Sequence, residues 1–474
     1  MLFLPQTKDF LMENVDIFLS NFKNAIWSAP LLIFLIGTGA YLTIILKGVQ
    51  FRYLGYAIKQ VFARTRQNSQ GDISPFEALM TSLAGAIGTG AIVGVATGLA
   101  VGGLGSIFWM WITAFVGMAT KYAESILAVK YRIKDDRGEM MGGPMQYIEK
   151  GLGWKWMALL FALLGALAAI TTGNLVQVNA ITEAIQHLKA VDPFWTGIVL
   201  AGITGLVIIG GVKSIGHVAG VLVPIMALFY IIGGLIVITF HFDKIPHAFG
   251  LIIKTAFTGQ GATGGFVGAT LMMAIQSGVS RSVFSNEAGL GISSIAAAAA
   301  KTDSPGRQGM ITMTGALIST VIVCTVTGLV LAVTQVQGAI NDSGEVLNGA
   351  AMAFAAFEST IPGGSYIVSI GLILFAFSTV LAWAYYGEKC FEYIFGINSV
   401  NVYRILFTLI IIPSAVTKME IAWYLADITN GLMVIPNLIS LIGLSAVVVA
   451  ENERFLALVQ KERLALQKTF ESKQ

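Results

Sequence analysis

Long apolar runs follow one another along almost the whole chain and limit its fold more than any motif does. A run of about 20 apolar residues can cross the roughly 30 Å hydrocarbon core of a bilayer as a helix. Charged residues make up only 12% of the chain, which excludes an ordinary soluble protein. The eleven predicted spans are residues 26–46, 75–100, 106–129, 156–187, 194–212, 218–240, 263–299, 309–334, 350–388, 402–417 and 423–449. We therefore expect an all-α integral membrane protein.

The distribution of basic residues predicts how the spans are oriented. With the N-terminus placed outside, 21 of the 29 Lys and Arg fall on the cytoplasmic side and six on the other, while Lys121 and Arg281 lie within spans. Cytoplasmic loops of membrane proteins are enriched in Lys and Arg, so we expect the N-terminus outside and the C-terminus in the cytoplasm. Because these charges gather in loops, no nucleic-acid partner is expected.

The second span contains a stretch, residues 83–98 (LAGAIGTGAIVGVATG), in which Gly85, Gly88, Gly90 and Gly94 are poor helix formers. An unwound turn at membrane depth is tolerated only where its free backbone groups face protein, water or a solute. A broken helix there predicts a binding site. The alternative is that these small residues only allow two helices to pack closely.

The seventh span contains a second such stretch, residues 276–291 (QSGVSRSVFSNEAGLG). Arg281 and Glu287 would lie within the membrane, where ionisable residues are costly and usually functional. Two alternatives stay open at this point. Arg281 and Glu287 pair only with each other, or the span ends near Ser277 and the stretch is a cytoplasmic turn.

The two glycine-rich stretches each begin a set of five spans, residues 75–240 and 263–449. Because five is odd, the second set must run in the opposite direction through the membrane. Inverted repeats with discontinuous first helices are typical of secondary transporters whose site lies at mid-membrane. The predicted division is an interfacial segment at 1–25, an extra span and basic loop at 26–71, repeats at 72–245 and 246–450, and a cytoplasmic tail at 451–474.

Several long motifs resemble one family of membrane proteins, the alanine or glycine:cation symporters. They include SLAGAIGTGAIVGVATG, GMATKYAESILAVKYR, GEMMGGPMQYIEKGLG, SVFSNEAGLG, AAAAAKTDSPGRQ and STVLAWAYYGEKCFEY, and the resemblance covers nearly the whole chain. It implies a leucine-transporter-like fold of ten core spans with one extra span in front, in a prokaryotic plasma membrane. It also implies symport of a small neutral amino acid, alanine or glycine, with Na⁺, and no enzymatic cofactor.

The resemblance also implies which residues bind the substrate. They are Thr89, Gly90, Gln177, Phe284, Ser285, Asn286, Glu287, Thr379 and Trp383. These residue types suit a zwitterion, because N–H groups at an opened helix bind a carboxylate and carbonyl oxygens accept from an ammonium. For Gln177 the alternative is a role in interhelical packing.

The predicted Na⁺ ligands are oxygen atoms, which hard cations prefer. The resemblance places them at the hydroxyls of Ser378 and Thr379 and the carbonyls of Ala86 and Gly88. Adjacent hydroxyls on a helix also commonly bond back to the preceding turn.

The chain departs from the family pattern at one position of the first break. The family usually has GTGN there, whereas this chain has Gly88, Thr89, Gly90 and Ala91. Alanine offers neither a cap nor a cation ligand. We therefore expect weaker or less selective Na⁺ binding, or a different solute preference.

Two other classes of membrane protein serve as alternatives. A channel would favour repeated filter residues around a pore, whereas the two broken stretches differ in sequence. A membrane-embedded enzyme needs a cluster of catalytic or metal-binding groups, but the four histidines are scattered near span ends: His187, His217, His241 and His247. We therefore do not expect an enzyme.

Overall fold

The computed structural model describes residues 5–63, 69–258, 270–340 and 344–471, and the side chains within them except those of 5–14, 463 and 465–471. Nearly all of this chain is helical. The helices are α1 Pro5–Ile26, α2 Ala29–Ile45, α3 Val49–Arg52, α4 Leu54–Val61, α5 Pro75–Ala86, α6 Val93–Gly102, α7 Gly105–Lys130, α8 Pro144–Tyr147, α9 Lys155–Ile170, α10 Val176–Leu188, α11 Pro193–Ile208, α12 Gly211–Phe240, α13 Ile245–Thr258, α14 Leu271–Asn286, α15 Ser294–Ala298, α16 Pro305–Ala316, α17 Thr325–Thr334, α18 Gly349–Glu358, α19 Gly364–Phe395, α20 Val400–Ala415, α21 Met419–Gly443 and α22 Ser445–Glu471.

Seven helices in the described part of the chain are long and apolar enough to cross a membrane, and α1 with α2 makes an eighth if that pair, bent by 40°, is one span. Two of the seven are composite. Wide π-helical turns at Thr171–Leu175 and Leu317–Cys324 join α9 to α10 and α16 to α17 without ending either rod. Both broken spans fall outside this count, because neither is one long helix.

The first predicted break is confirmed as a discontinuity between α5 and α6. A capping box fixes the start of α5. The Ser74 hydroxyl accepts a hydrogen bond from the Glu77 N–H, and the Glu77 carboxylate accepts one from the Ser74 N–H. The helix ends at Ala86, a single 3₁₀ turn covers Thr89–Ala91, and helix resumes at Val93.

The second predicted break lies between α14 and α15. Glu287, Gly289 and Gly291 all have positive φ, of +58°, +90° and +76°, which no α-helix accommodates. Helix α14 runs unbroken through Ser277 to Asn286, so the alternative of a turn near Ser277 is wrong. Residues 263–269 of this predicted span lie outside the described residues.

One predicted span is wrong in its boundaries. The run at 350–388 is two helices, the short α18 and the 32-residue α19, separated by residues 359–363. Gly363 has a φ of +77°, and its N–H and that of Ser365 donate to the Glu358 carboxylate, so the link is a built turn. An apolar run alone does not reveal such a turn.

The broken spans lie between the two most enclosed long helices. Helix α7 packs against α14 and α16, and α19 packs against α5, α9, α10 and α12. In the most apolar stretch of α7 83% of residues are buried and in that of α19 72%, against 28% for α20. The two breaks therefore sit in the interior of the bundle, with α20 on its periphery.

A small antiparallel hairpin follows α7, with β1 at Ile133–Lys134 and β2 at Met140–Met141. It lies at the end of the molecule where α5 begins, and we call this end the latch end. The opposite end, where α6 terminates, is called the vestibule end. These two names carry no statement about which compartment each end faces.

Candidate functional site

The first break is held open by a side chain from α10. The Thr89 N–H donates to Gln177 Oε1 over 3.1 Å, and Gln177 Nε2 donates to the Thr172 carbonyl over 3.0 Å. Both Thr89 and Gln177 are fully buried. The Thr89 hydroxyl has no hydrogen-bond partner among the described residues. A buried hydroxyl without a partner is costly, so this one is available for a ligand.

Two glycines let neighbouring side chains reach the backbone of this break. A Cβ on Gly88 would collide with Thr379 Oγ1 and lie 2.8 Å from Gln177 Oε1. A Cβ on Gly90 would lie 2.7 Å from Phe284 Cδ1. The structure thus brings together residues from four distant parts of the sequence, as the sequence reasoning expected.

The hydroxyls of Ser378 and Thr379 reach the first broken helix one turn before the break. Thr379 Oγ1 donates to the Ala84 carbonyl over 2.7 Å and Ser378 Oγ over 3.4 Å, and both also bond back to the Phe375 carbonyl. The carbonyl they meet is that of Ala84, whereas the sequence reasoning named Ala86 and Gly88. Two hydroxyls beside a main-chain oxygen are a donor set that Na⁺ accepts.

Aromatic rings cover two sides of the site. Phe284 lies against Trp423 with 4.7 Å between ring centroids. Trp383 packs on Gly173, and its indole N–H donates to the Gly85 carbonyl over 3.4 Å.

The other three predicted substrate residues, Ser285, Asn286 and Glu287, are also buried. Their side chains contact other parts of the protein. Ser285 Oγ lies 3.0 Å from Cys324 Sγ, and the Asn286 side chain accepts from the Ala288 N–H over 2.9 Å. Glu287 lies beside Gly85, where a Cβ would be 2.9 Å from its Oε1. Their contact with substrate stays a prediction.

A cavity of about 690 Å³ opens beside the aromatic rings at the vestibule end. Arg281, Trp423 and Asp427 are among its lining residues. Arg281 pairs with Asp427 and lies over the Trp423 ring, 4.7 Å from its centroid. The alternative in which Arg281 and Glu287 pair with each other is therefore wrong. The cavity and the first break are separated by this ion pair and the aromatic contact beneath it.

The latch end is closed by main-chain bonds between the two broken spans. The Asp72 N–H donates to the Ala299 carbonyl over 2.8 Å, and the Lys301 N–H donates to the Ile73 carbonyl over 2.8 Å. Burial raises the pKa of the Asp72 carboxyl above its ordinary value, and the hydrogen bond from the Met140 N–H partly offsets this rise.

Arg132 in the hairpin reinforces this closure. Its guanidinium donates to the carbonyls of Ala298, Ala300 and Gln70, each over 2.8 Å. A guanidinium group is planar and carries five N–H donors in a fixed geometry, so it can bond to several acceptors at once. One side chain therefore fastens the segment before α5 to the segment after α15.

Arg132, Asp427 and Ala84 are not among the residues predicted from the sequence. Asp427 carried a signal, because it is an acidic residue inside an apolar run. Arg132 and the Ala84 carbonyl carried none, since a basic loop residue and a main-chain oxygen look the same whatever they contact.

A sequence profile described as the sodium:alanine symporter family matches residues 12–470. The chain belongs to this family. The sodium/alanine symporter AgcS of Methanococcus maripaludis is 49% identical over 91% of this chain and 95% of its own length. The probable sodium/glutamine symporter GlnT of Bacillus subtilis is 38% identical over 90% of this chain and 87% of its own length.

Among solved structures, that of MhsT in complex with L-phenylalanine matches with a TM-score of 0.60 at 13% identity. The match covers 81% of this chain and 93% of that one. It shows that this symporter-family member has a leucine-transporter-like fold. The chain is accordingly a multi-pass membrane protein and a secondary amino-acid transporter, not an enzyme.

Proposed function

We propose that the chain couples uptake of a small neutral amino acid, alanine or glycine, to a sodium gradient by alternating access. The observation that carries this proposal is the unpartnered, fully buried hydroxyl of Thr89, in a turn whose backbone is opened by Gln177 and approached closely by Thr379 and Phe284. A zwitterion needs such a mixture of N–H donors and oxygen acceptors in a water-free place.

The substrate site is proposed to comprise the residues named from the family resemblance, with the small space between Gly90, Phe284 and Trp383 limiting the side chain. The similarity to both an alanine symporter and a probable glutamine symporter leaves the substrate to be measured. Na⁺ is proposed to bind between the hydroxyls of Ser378 and Thr379 and the nearby carbonyl oxygens of α5. Its binding would replace the hydroxyl bonds to the Ala84 carbonyl.

Alternating access requires two closures that open in turn. We assign the vestibule end to the outside, where the Arg281–Asp427 pair and the Phe284–Trp423 contact form one closure. The latch end, with Arg132, is assigned to the cytoplasm. This fits the proposed architecture of eleven spans in two inverted repeats, with the N-terminus outside and the C-terminus inside a prokaryotic plasma membrane.

The test is tracer uptake by the purified chain in proteoliposomes. Alanine and glycine uptake would be measured under an inward Na⁺ gradient, an inward H⁺ gradient and no gradient. We expect concentrative uptake with Na⁺ and counterflow when the vesicles are preloaded with the same amino acid. Uptake without counterflow would indicate a channel, and the absence of uptake of either amino acid would contradict the proposed substrate.

A further inference from the structure

Three ionisable side chains are buried together between α7 and the second break. Lys121 and Glu124 lie one turn apart on α7, and Glu287 is the first residue after α14. All three are at most 1% exposed. We call Lys121, Glu124 and Glu287 the buried charge cluster.

Two members of the cluster, Lys121 and Glu124, have hydrogen-bond partners. The Lys121 ammonium donates to the Asn286 carbonyl over 2.7 Å, with the hydroxyl oxygens of Ser293 and Ser82 at 3.1 and 3.5 Å. The nitrogen is therefore surrounded by three oxygen atoms that can accept its N–H bonds.

Glu124 accepts hydrogen bonds through one of its two carboxylate oxygens, and the other has no partner among the described residues. Its Oε1 accepts from the N–H groups of Gly289 and Gly291, over 3.0 and 3.1 Å, and from Asn437 Nδ2 over 2.8 Å. Three N–H donors on one carboxylate stabilise its negative charge. Lys121 interacts with both carboxyl groups, so one ammonium stands against two carboxyl groups and one negative charge of the cluster is left over.

Glu287 differs from Glu124 in having no hydrogen-bond donor among the described residues. Neither of its carboxylate oxygens accepts a hydrogen bond from any residue that the structure describes, although the side chain is completely buried. The charged groups that act on it are Lys121 and Glu124, and the other titratable neighbour is the phenol of Tyr386. An ionised carboxylate without hydrogen-bond donors is costly to bury, and here one ammonium serves two carboxyl groups.

The backbone at Glu287 adds an independent argument. Its φ of +58° is a conformation that glycine adopts freely and glutamate does not. A helix end of this shape is commonly a glycine, so nothing in the turn itself calls for a long acidic side chain. The backbone strain and the buried carboxylate therefore occur at the same residue, as is common at functional sites.

We propose that Glu287 binds one exchangeable monovalent cation, a proton or Na⁺, at a site distinct from the Ser378–Thr379 hydroxyls. The shared chemistry is a single positive charge that neutralises the leftover carboxylate. This inference rests on the proposed function and adds a second coupling ion to it.

The position of Glu287 explains how its charge acts on transport. Its Oε1 lies against Gly85 of the first broken helix, and its own backbone forms the second break. The Lys121 ammonium touches both segments as well, through Ser82 and Asn286. Loading or unloading a cation at Glu287 therefore changes the electrostatic attraction between the two segments that form the substrate site.

The test compares wild type with Glu287→Gln, which keeps the shape and removes the charge. Alanine affinity of the purified full-length chain would be measured across a Na⁺ series at fixed pH and across a pH series at fixed Na⁺. The plot of log Kd against log cation concentration has a negative slope, and we expect the magnitude of this slope to fall by one for a single cation. The series that changes identifies that cation as Na⁺ or H⁺, and unchanged slopes in both series would overturn the inference.

A second variant tests the same charge balance with the opposite sign. Lys121→Gln removes the internal cation, so the magnitude of the slope for that same cation should rise by one. If Glu287→Gln does not purify, an unchanged slope in Lys121→Gln overturns the inference. Glu453→Gln, the same chemical change on an exposed part of α22, is the matched control and should leave both slopes as in wild type.

These measurements separate the two proposals. A wild-type chain that binds neither alanine nor glycine contradicts the proposed function itself. If wild type binds the amino acid in a cation-dependent way and Glu287→Gln shows the same cation dependence, only the second cation site is contradicted.

Discussion

Arg281 and Asp427 lie 146 residues apart in the sequence, yet their guanidinium and carboxylate groups approach to 2.5 Å beneath the cavity at the vestibule end. Both side chains are largely buried, at 10% and 5% exposure. Removing one charge of such a pair leaves the other unpaired, at a cost of about 3 to 5 kcal/mol when the site stays closed.

Asp427→Asn should therefore open this closure more often. We expect bound amino acid to dissociate at least about tenfold faster, because even 1.4 kcal/mol lost from the closed state gives that factor. Dissociation of labelled alanine in stopped-flow or filtration experiments measures it. Asp192→Asn, at the exposed N-cap of α11 where asparagine caps equally well, is the control. Equal dissociation rates in Asp427→Asn and wild type would contradict the gating role.

Gly90→Val should abolish amino-acid binding while the chain still inserts and purifies. The added Cβ would meet the Phe284 ring at 2.7 Å, and the branched side chain would fill the space beside the break. Equilibrium binding of alanine to the purified variant is the measurement. Gly202→Val is the matched control, because a Cβ on Gly202 has no atom within 4 Å among the described residues. Undiminished binding by Gly90→Val would show that the substrate lies elsewhere.

Thr379→Ala should weaken both Na⁺ and amino-acid affinity. The hydroxyl faces the Ala84 carbonyl on one side and Gly88 on the other, so it stands between the proposed cation and substrate positions. Sites that share a ligand affect each other reciprocally. The alanine Kd should shift more at low Na⁺ than at saturating Na⁺. Ser369→Ala, which removes a hydroxyl that bonds only within α19, is the control. An equal shift at all Na⁺ concentrations would exclude Thr379 from the coupling.

Ala91→Asn should move the chain toward the behaviour of its family. Ala91 is fully buried in the 3₁₀ turn of the first break, and its carbonyl accepts from the Thr327 hydroxyl over 2.8 Å. One restored ligand or charge-assisted bond contributes about 1.5 to 3 kcal/mol, so half-saturating Na⁺ should fall about tenfold or more. Uptake across a Na⁺ series, with alanine and glycine, gives the answer. Superimposable curves would mean that the cation is held by other groups.

Arg132→Gln should loosen the latch end. The variant loses the fork that joins three carbonyls, so the main-chain bonds between residues 69–73 and 299–302 should open more often. Amide hydrogen exchange of these two segments should accelerate about tenfold or more, since a charged hydrogen bond contributes about 1.5 to 3 kcal/mol. Lys134→Gln, an exposed position of the same hairpin, should exchange as wild type does. Unaltered protection in Arg132→Gln would assign the closure to the backbone alone.

The sequence predicted the features of this fold that depend on local composition. Glycines at 85 to 94 predicted the first break, and the helix indeed stops at Ala86 and resumes at Val93. The residues carried over from the family, including Thr89, Gln177 and Thr379, do meet around this break. Their role in binding remains a prediction.

The features that could not be predicted from the sequence depend on contacts between neighbouring helices. One alternative paired Arg281 with Glu287, six residues away on the same segment, but the Arg281 side chain points across the bundle to Asp427 on α21. The two hydroxyls on α19 select the Ala84 carbonyl because of the rotation and depth of α5, which periodicity does not specify. The turn at 359–363 is hidden because the helices on both sides of it are equally apolar.

The wide turn at Thr171–Leu175, between α9 and α10, affects the direction in which the Gln177 side chain points. Such a turn holds one residue more than an α-helical turn, and each residue of an α-helix advances the direction of its side chains by about 100°. Gln177 follows two positions after the wide turn, so its azimuth depends on that turn absorbing the surplus residue. If the same residues wound as an ordinary α-helix, Gln177 would swing by roughly a quarter of a revolution, away from Thr89. The aim of the side chain that keeps the first break open is thus a matter of residue count as well as residue type.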